Sequence, residues 1–196
     1  SDYARGSGQD SVYNNPYIKE VKTGGSSSGD LGTNYPIDWN EMGHNAYMKW
    51  GYWIQTQEIT IGGNQHYFDN KGYYIFGEPT PCDTVSGLHG EVAYSGDAWG
   101  TYFTSSTGVD MTGIFNCNVN FDTGSVGNFN VKVWENQSGQ SGHHAFIQGA
   151  SGTLSGSHFD INTSTGSWEL FDGASTYSPS YKGAHGSLYG SNGQYI

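Results

Sequence analysis

Apolar and polar residues alternate with a period of two along much of this 196-residue chain. In the run from Ala46 to Trp53, Ala46, Met48, Trp50 and Tyr52 fall on one strand face, and Tyr47, Lys49, Gly51 and Trp53 fall on the other. Aromatic residues on both faces predict a strand covered on two sides. A second run over 58–61 enters a turn at 62–65, and Tyr67-Phe68 leads through another turn at 69–72 to a strand over 73–76. Upstream, residues 1–32 hold few apolar side chains, so only a short strand over 17–22 and a flexible polar loop over 23–32 are expected there.

Pro79-Thr80-Pro81 cannot continue a central strand and marks a boundary between a first part, 1–85, and a second, 86–196. Beyond it, strand-like runs recur at 91–95, 100–104, 113–121, 127–134, 145–148, 152–154, 158–162, 167–171 and 186–189. Phe115, Cys117, Val119 and Phe121 alternate with Asn116, Asn118 and Asn120, and Phe129, Val131 and Val133 alternate with Asn130 and Lys132. One dry face and one wet face in short hairpins predict an antiparallel up-and-down barrel or a sandwich.

Composition narrows the class to all-β. Glycine is abundant at 31 residues, and 6 Trp, 15 Tyr and 9 Phe supply large rings to bury, which argues against both a helical protein and a disordered one. The net charge of -11 has the wrong sign for gripping nucleic acid or an anionic membrane surface. No apolar run approaches the ~20 residues of a spanning helix, and the chain reads as a mature soluble product without membrane insertion. Two cysteines, Cys82 and Cys117, cannot by themselves form a four-ligand zinc site; an export route would permit one disulfide between them, and two buried free thiols are the plainer reading.

Three segments appear in order: Tyr47-Met48-Lys49-Trp50-Gly51-Tyr52-Trp53, then Tyr74-Ile75-Phe76-Gly77-Glu78-Pro79-Thr80-Pro81, then Gly90-Glu91-Val92-Ala93-Tyr94-Ser95-Gly96-Asp97-Ala98-Trp99-Gly100-Thr101-Tyr102. Together with Gly183-Ala184-His185-Gly186-Ser187-Leu188-Tyr189-Gly190-Ser191-Asn192-Gly193, they resemble the barrel region of the transferrin-binding-protein-B-like family of Gram-negative bacteria. These are clients of the Slam outer-membrane export machinery, and the resemblance covers 46–196. The lipid-anchored members attach through an N-terminal Cys, whereas the first Cys here is Cys82, so the soluble, hemophilin-type branch is the nearer likeness. The resemblance implies a secreted, extracellular hemophore for iron acquisition, with a clamp-like N-terminal haem domain and an eight-stranded C-terminal barrel. It further implies haem b as cofactor, a Slam-type translocator and a TonB-dependent haem receptor as partners, and no enzymatic activity. The family barrel continues past the Tyr189-Gly190 hairpin, whereas this sequence ends at Ile196, so either its final strands are absent or the barrel closes differently.

Seven histidines stand out in a charge-poor chain. His44, expected in a loop entering the aromatic strand, and His66, beyond the 62–65 turn, are the candidate axial ligands of haem iron, with Tyr47, Trp50, Tyr52, Tyr67 and Phe68 against the porphyrin. A solvated loop imidazole is the plainer reading of each. His89 and the adjacent His143-His144, which must point to opposite faces of a strand, are reserve ligands. His158 and His185 read as structural, and Lys49, Lys71 and Arg5 are the cations available to pair with propionates. Two other readings stay open. One is a surface module binding a host protein or glycan through aromatic loops; the other is a small β-sandwich glycoside hydrolase, for which Glu169, between Trp168 and Leu170, is the best-placed carboxyl.

Overall fold

The computed structural model describes the backbone of residues 38–61, 64–103, 108–180 and 182–196, and the side chains of all these except 56–61, 64–70 and 103. The strand and loop expected over 17–32 lie outside the described residues, as does Arg5. The protein is all-β: a curled antiparallel sheet forms a half-barrel, and a smaller three-stranded sheet precedes it in the chain.

The small sheet runs in order β1 (Asp38–His44), β2 (Met48–Ile61), β3 (Asn64–Gly77), antiparallel throughout. Two expectations change here. His44 is the last residue of a strand rather than part of a loop, because the polar stretch Asp38–His44 pairs with β2 across a bulge between Glu41 and Gly43. The turn expected at 69–72 is absent, and β3 pairs with β2 at every position from Asn64 to Gly77. Gly72 suits that unbroken strand, since a Cβ there would lie 2.6 Å from the Trp53 ring, which packs flat across it.

The larger sheet comprises β4 (Glu91–Phe103), β5 (Gly108–Asn120), β6 (Ser125–Asn136), β7 (Ser141–Ser155), β8 (His158–Ile161), β9 (Ser167–Phe171), β10 (Thr176–Tyr177) and β11 (Ala184–Ser187). Its order is β10-β9-β7-β6-β5-β4, with β8 also on β7 and β11 on β8. The separate runs expected at 91–95 and 100–104 merge into β4, and those at 145–148 and 152–154 merge into β7. The curl is built from the alternation seen in the sequence: Cys117, Val119, Val126, Phe129, Ala150, Phe159, Ile161 and Trp168 form one core, and the asparagines bond along the other face, as Asn130 Nδ2 does to Asn116 Oδ1 at 2.8 Å.

The segment after the small sheet packs into this core. Thr80 is buried, its N–H donates to the Leu188 carbonyl at 2.8 Å, and Val85, in the short helix α1 (Cys82–Ser86), joins the core cluster. Leu188 is fully buried, and its own N–H donates to the Ser157 carbonyl at 2.7 Å. One residue therefore ties the chain entering the half-barrel to the β7–β8 turn. Leu188→Ala should cost about 2–5 kcal/mol, read as a lower denaturation midpoint in urea with an unchanged slope.

The expected disulfide is not formed. Cys117 lies on the dry face of β5 and is buried, whereas Cys82 sits exposed on α1 against Gly156, so the two thiols are free and differently placed. Burial pushes the Cys117 thiol up to about 12, which keeps it protonated and unreactive. Iodoacetamide should label Cys82 in the native protein and Cys117 only after denaturation, checked by mass spectrometry of unreduced samples.

Candidate functional site

The register of the small sheet sorts its side chains onto two faces. One face carries Asn40, Trp50, Tyr52, Ile54, Lys71, Tyr73 and Ile75. This face turns toward the half-barrel, because Lys71 Nζ reaches Asp110 Oδ2 on β5 at 2.7 Å and sits 4.4 Å above the Tyr52 ring. Burial pulls the Lys71 ammonium down, but the bond to Asp110 and the neighbouring Tyr73 outweigh it, and its pKa is raised.

The other face carries His44, Lys49 and Phe76 in one row, Glu41 and Tyr74 beside Gly51 in the next, and Trp39 and Trp53 beside Gly72 in the third. Trp39 meets Tyr74 edge to face at 5.3 Å. The His44 backbone is fixed by the turn that follows, in which Asn45 Oδ1 accepts from the N–H of Tyr47 at 2.8 Å and of Met48 at 3.0 Å. Its ring is fixed by Glu41, whose Oε1 lies 2.6 Å from Nδ1. An ionised carboxylate can only accept, so Nδ1 carries the proton and a neutral His44 keeps the lone pair of Nε2 free. Lys49 Nζ approaches the other oxygen of Glu41 at 3.3 Å.

The structure does not bring the expected ligand set together. His44 pairs with Lys49 and His66 pairs with Ile59, ten residues further along β2, which separates their backbones by about 33 Å. Two imidazoles that far apart cannot hold opposite sides of one porphyrin iron. Trp50 and Tyr52 lie on the face opposite His44, and the side chains of His66, Tyr67 and Phe68 lie outside the described residues. Tyr47 is exposed in the β1–β2 turn, its ring 6.1 Å from that of Tyr195. Among the described side chains, the aromatics that share the His44 face are Trp39, Trp53, Tyr74 and Phe76, none of them named in the sequence as porphyrin contacts. Parity along β2 already sets Trp53 with Lys49, so Trp53 at least was accessible to sequence reasoning.

The remaining histidines lie away from this face. His89 Nδ1 lies 2.9 Å from Asp122 Oδ1, beside the β5–β6 turn. His143 and His144 do point to opposite faces: His143 bonds Glu135 at 2.8 Å and rests against Tyr102, while His144 is stacked between Phe146 and Phe171 with Nε2 3.0 Å from Glu169 Oε1. Glu169 is thus a histidine partner on the half-barrel. His158 Nδ1 bonds Ser187 Oγ at 2.7 Å, and His185 belongs to β11, opposite Asp160, rather than to a loop.

Chemically, the His44 face offers an oriented imidazole, a cation and a bank of half-buried rings, a surface for a flat, electron-pair-accepting ligand. No metal-binding cluster of three or more His, Cys, Asp or Glu occurs among the described residues. Comparison with protein-family models and with curated proteins gave no match.

Hydrogen bonds from His44 and then Lys49 hold the Glu41 carboxyl below its usual 4.5. A depressed carboxylate contributes stability above its unfolded value, and that contribution is lost as pH falls through the lower folded value. A carbon-detected NMR titration should place Glu41 below 4.5, and in a His44→Ala/Lys49→Gln protein the midpoint should move back up toward it.

Proposed function

We propose that this protein is a secreted, non-catalytic hemophore that takes haem b onto the His44 face of the small sheet and passes it to an outer-membrane receptor. The observation that carries the reading is the placement of a carboxylate-oriented imidazole, Nε2 free, on the same face as Trp39, Trp53, Tyr74 and Phe76. The donor set fits haem: a neutral imidazole held through its second nitrogen is the common axial ligand, and rings at a sheet surface suit the faces of a porphyrin. When bound, haem would supply a Lewis-acidic iron in an apolar macrocycle. His44 would hold the iron through Nε2, Glu41 would keep the imidazole in the required tautomer, and the rings would cover the macrocycle. Export by a Slam-type translocator and hand-over to a TonB-dependent receptor follow from the family resemblance.

The revised ligand set changes the expected spectrum. Haemin should bind saturably at about one equivalent and give a five-coordinate, high-spin spectrum that added imidazole converts to low-spin. His44→Ala should remove most of the affinity, and His66→Ala should leave the spectrum unchanged. Titration without saturation would overturn the haem reading in favour of a module contacting a protein or glycan, for which the exposed Met42, Tyr47, Ile75 and Tyr195 supply apolar surface.

A further inference from the structure

Four lysines lie among the described residues, and their placements differ. Lys71 is committed to Asp110 between the two sheets and is shielded by Tyr52 and Tyr73. Lys132 lies on the half-barrel, its Nζ 5.9 Å from the Phe146 ring centroid. Lys182 follows β10, outside the small sheet. Lys49 alone stands on the His44 face; its side chain is 58% exposed, and its Nζ meets a single Glu41 oxygen at 3.3 Å. An ammonium has three donors, so that contact leaves capacity for a second anionic group.

Glu41 is shared. Its Oε1 faces the imidazole and its Oε2 faces Lys49, so one carboxylate sets both the iron-ligating nitrogen and the ammonium from a single point on β1. In the ladder Lys49 lies directly between His44 and Phe76, in the row where the imidazole and a ring would meet the ligand. In a chain of net charge -11, an anionic ligand gains no help from the overall field and depends on such a local cation.

We propose that Lys49 is a specificity-determining residue that selects planar ligands carrying a carboxylate, by pairing its ammonium with that group beside the His44-bound centre. The inference rests on the haem reading and deepens it, since it states which chemical form of the macrocycle the face prefers. Replacing the carboxylates by esters removes the negative charge and leaves the ring, the iron and its axial position in place.

The test compares haemin with haemin dimethyl ester, each titrated by absorbance into the wild-type chain and into Lys49→Gln, Lys49→Arg and Lys132→Gln. Wild type should bind haemin about three- to tenfold more tightly than the ester, the scale of one exposed charge-assisted pair. That ratio should fall to about one in Lys49→Gln, be kept in Lys49→Arg and stay unchanged in Lys132→Gln. A wild-type ratio near one, or a ratio that survives Lys49→Gln, overturns the inference. If Lys49 acted only by positioning Glu41 and His44, the substitution would weaken both ligands equally, which also overturns it. Failure of either ligand to bind wild type at all would instead overturn the haem reading, so the two failures are distinguishable.

Discussion

The half-barrel depends on β7 serving two partners along one edge. Its first part, from His144 to Gln148, pairs with β9, and its last part, from Gly152 to Ser155, pairs with β8, while the opposite edge follows β6. Between the two partners the backbone groups of β7 would lose their ladder, and buried unpaired amides and carbonyls are costly. Side chains and a turn take them instead. On this edge the Ser151 N–H donates to Thr165 Oγ1 and the Ser151 carbonyl accepts from the Asn162 N–H, while on the β6 edge, where the ladder also shifts, the Gly149 N–H donates to Asn130 Oδ1. Gly149, at φ +65°, supplies the left-handed bend that redirects the strand. Ala150, fully buried between these exchanges, shows how closely the sheet packs at the point where it divides.

The small sheet solves a different problem, because aromatic residues stand on both its faces. Lys71 and Asp110 join one face to the half-barrel through a charge-assisted bond roofed by tyrosines, which covers Tyr52 and Tyr73 without a continuous apolar core. The second face is composed differently: its rings are half-buried by one another and by close approach to glycine backbone, as Trp53 lies on Gly72 and Tyr74 crosses Gly51. Burial, and then the charge of Glu41, raise the Tyr74 phenol, so this face is electrostatically coupled to the imidazole row. A surface held in this way keeps ring faces available for stacking while its polar groups stay fixed. That combination makes the His44 face, rather than the concave side of the half-barrel, the candidate site.

How much was legible varied with the range of the interaction concerned. The alternation of Cys117 and Val119 with asparagine marked the core of the half-barrel directly, because a side-chain period of two is local to one strand. The strand β1 was not legible, since Asp38–His44 is mostly polar and its bulge breaks the period that would reveal it. Without β1, His44 had no register, and neither did the choice between the faces of β2. Trp50 and Tyr52 then looked as suitable as Trp53 for the ligand. The thiols repeat the lesson: Cys117 was correctly placed on the dry face, but whether Cys82 could reach it was a matter of where α1 packs.

What the sequence by itself determined is the all-β class, the dry and wet faces of the long strands, and the stock of imidazoles, rings and scarce cations from which a site can be made. These follow from composition and from a period set by the geometry of a single strand. Tertiary structure alone decided which of those groups share a face. Pairing register acts between strands distant in sequence, and a one-residue change of register moves a side chain to the opposite side of the sheet. The pairing of Glu41 with Gly51, and of His44 with Lys49, therefore set imidazole, carboxylate and ammonium together, and left His66 at the far end of the same ladder.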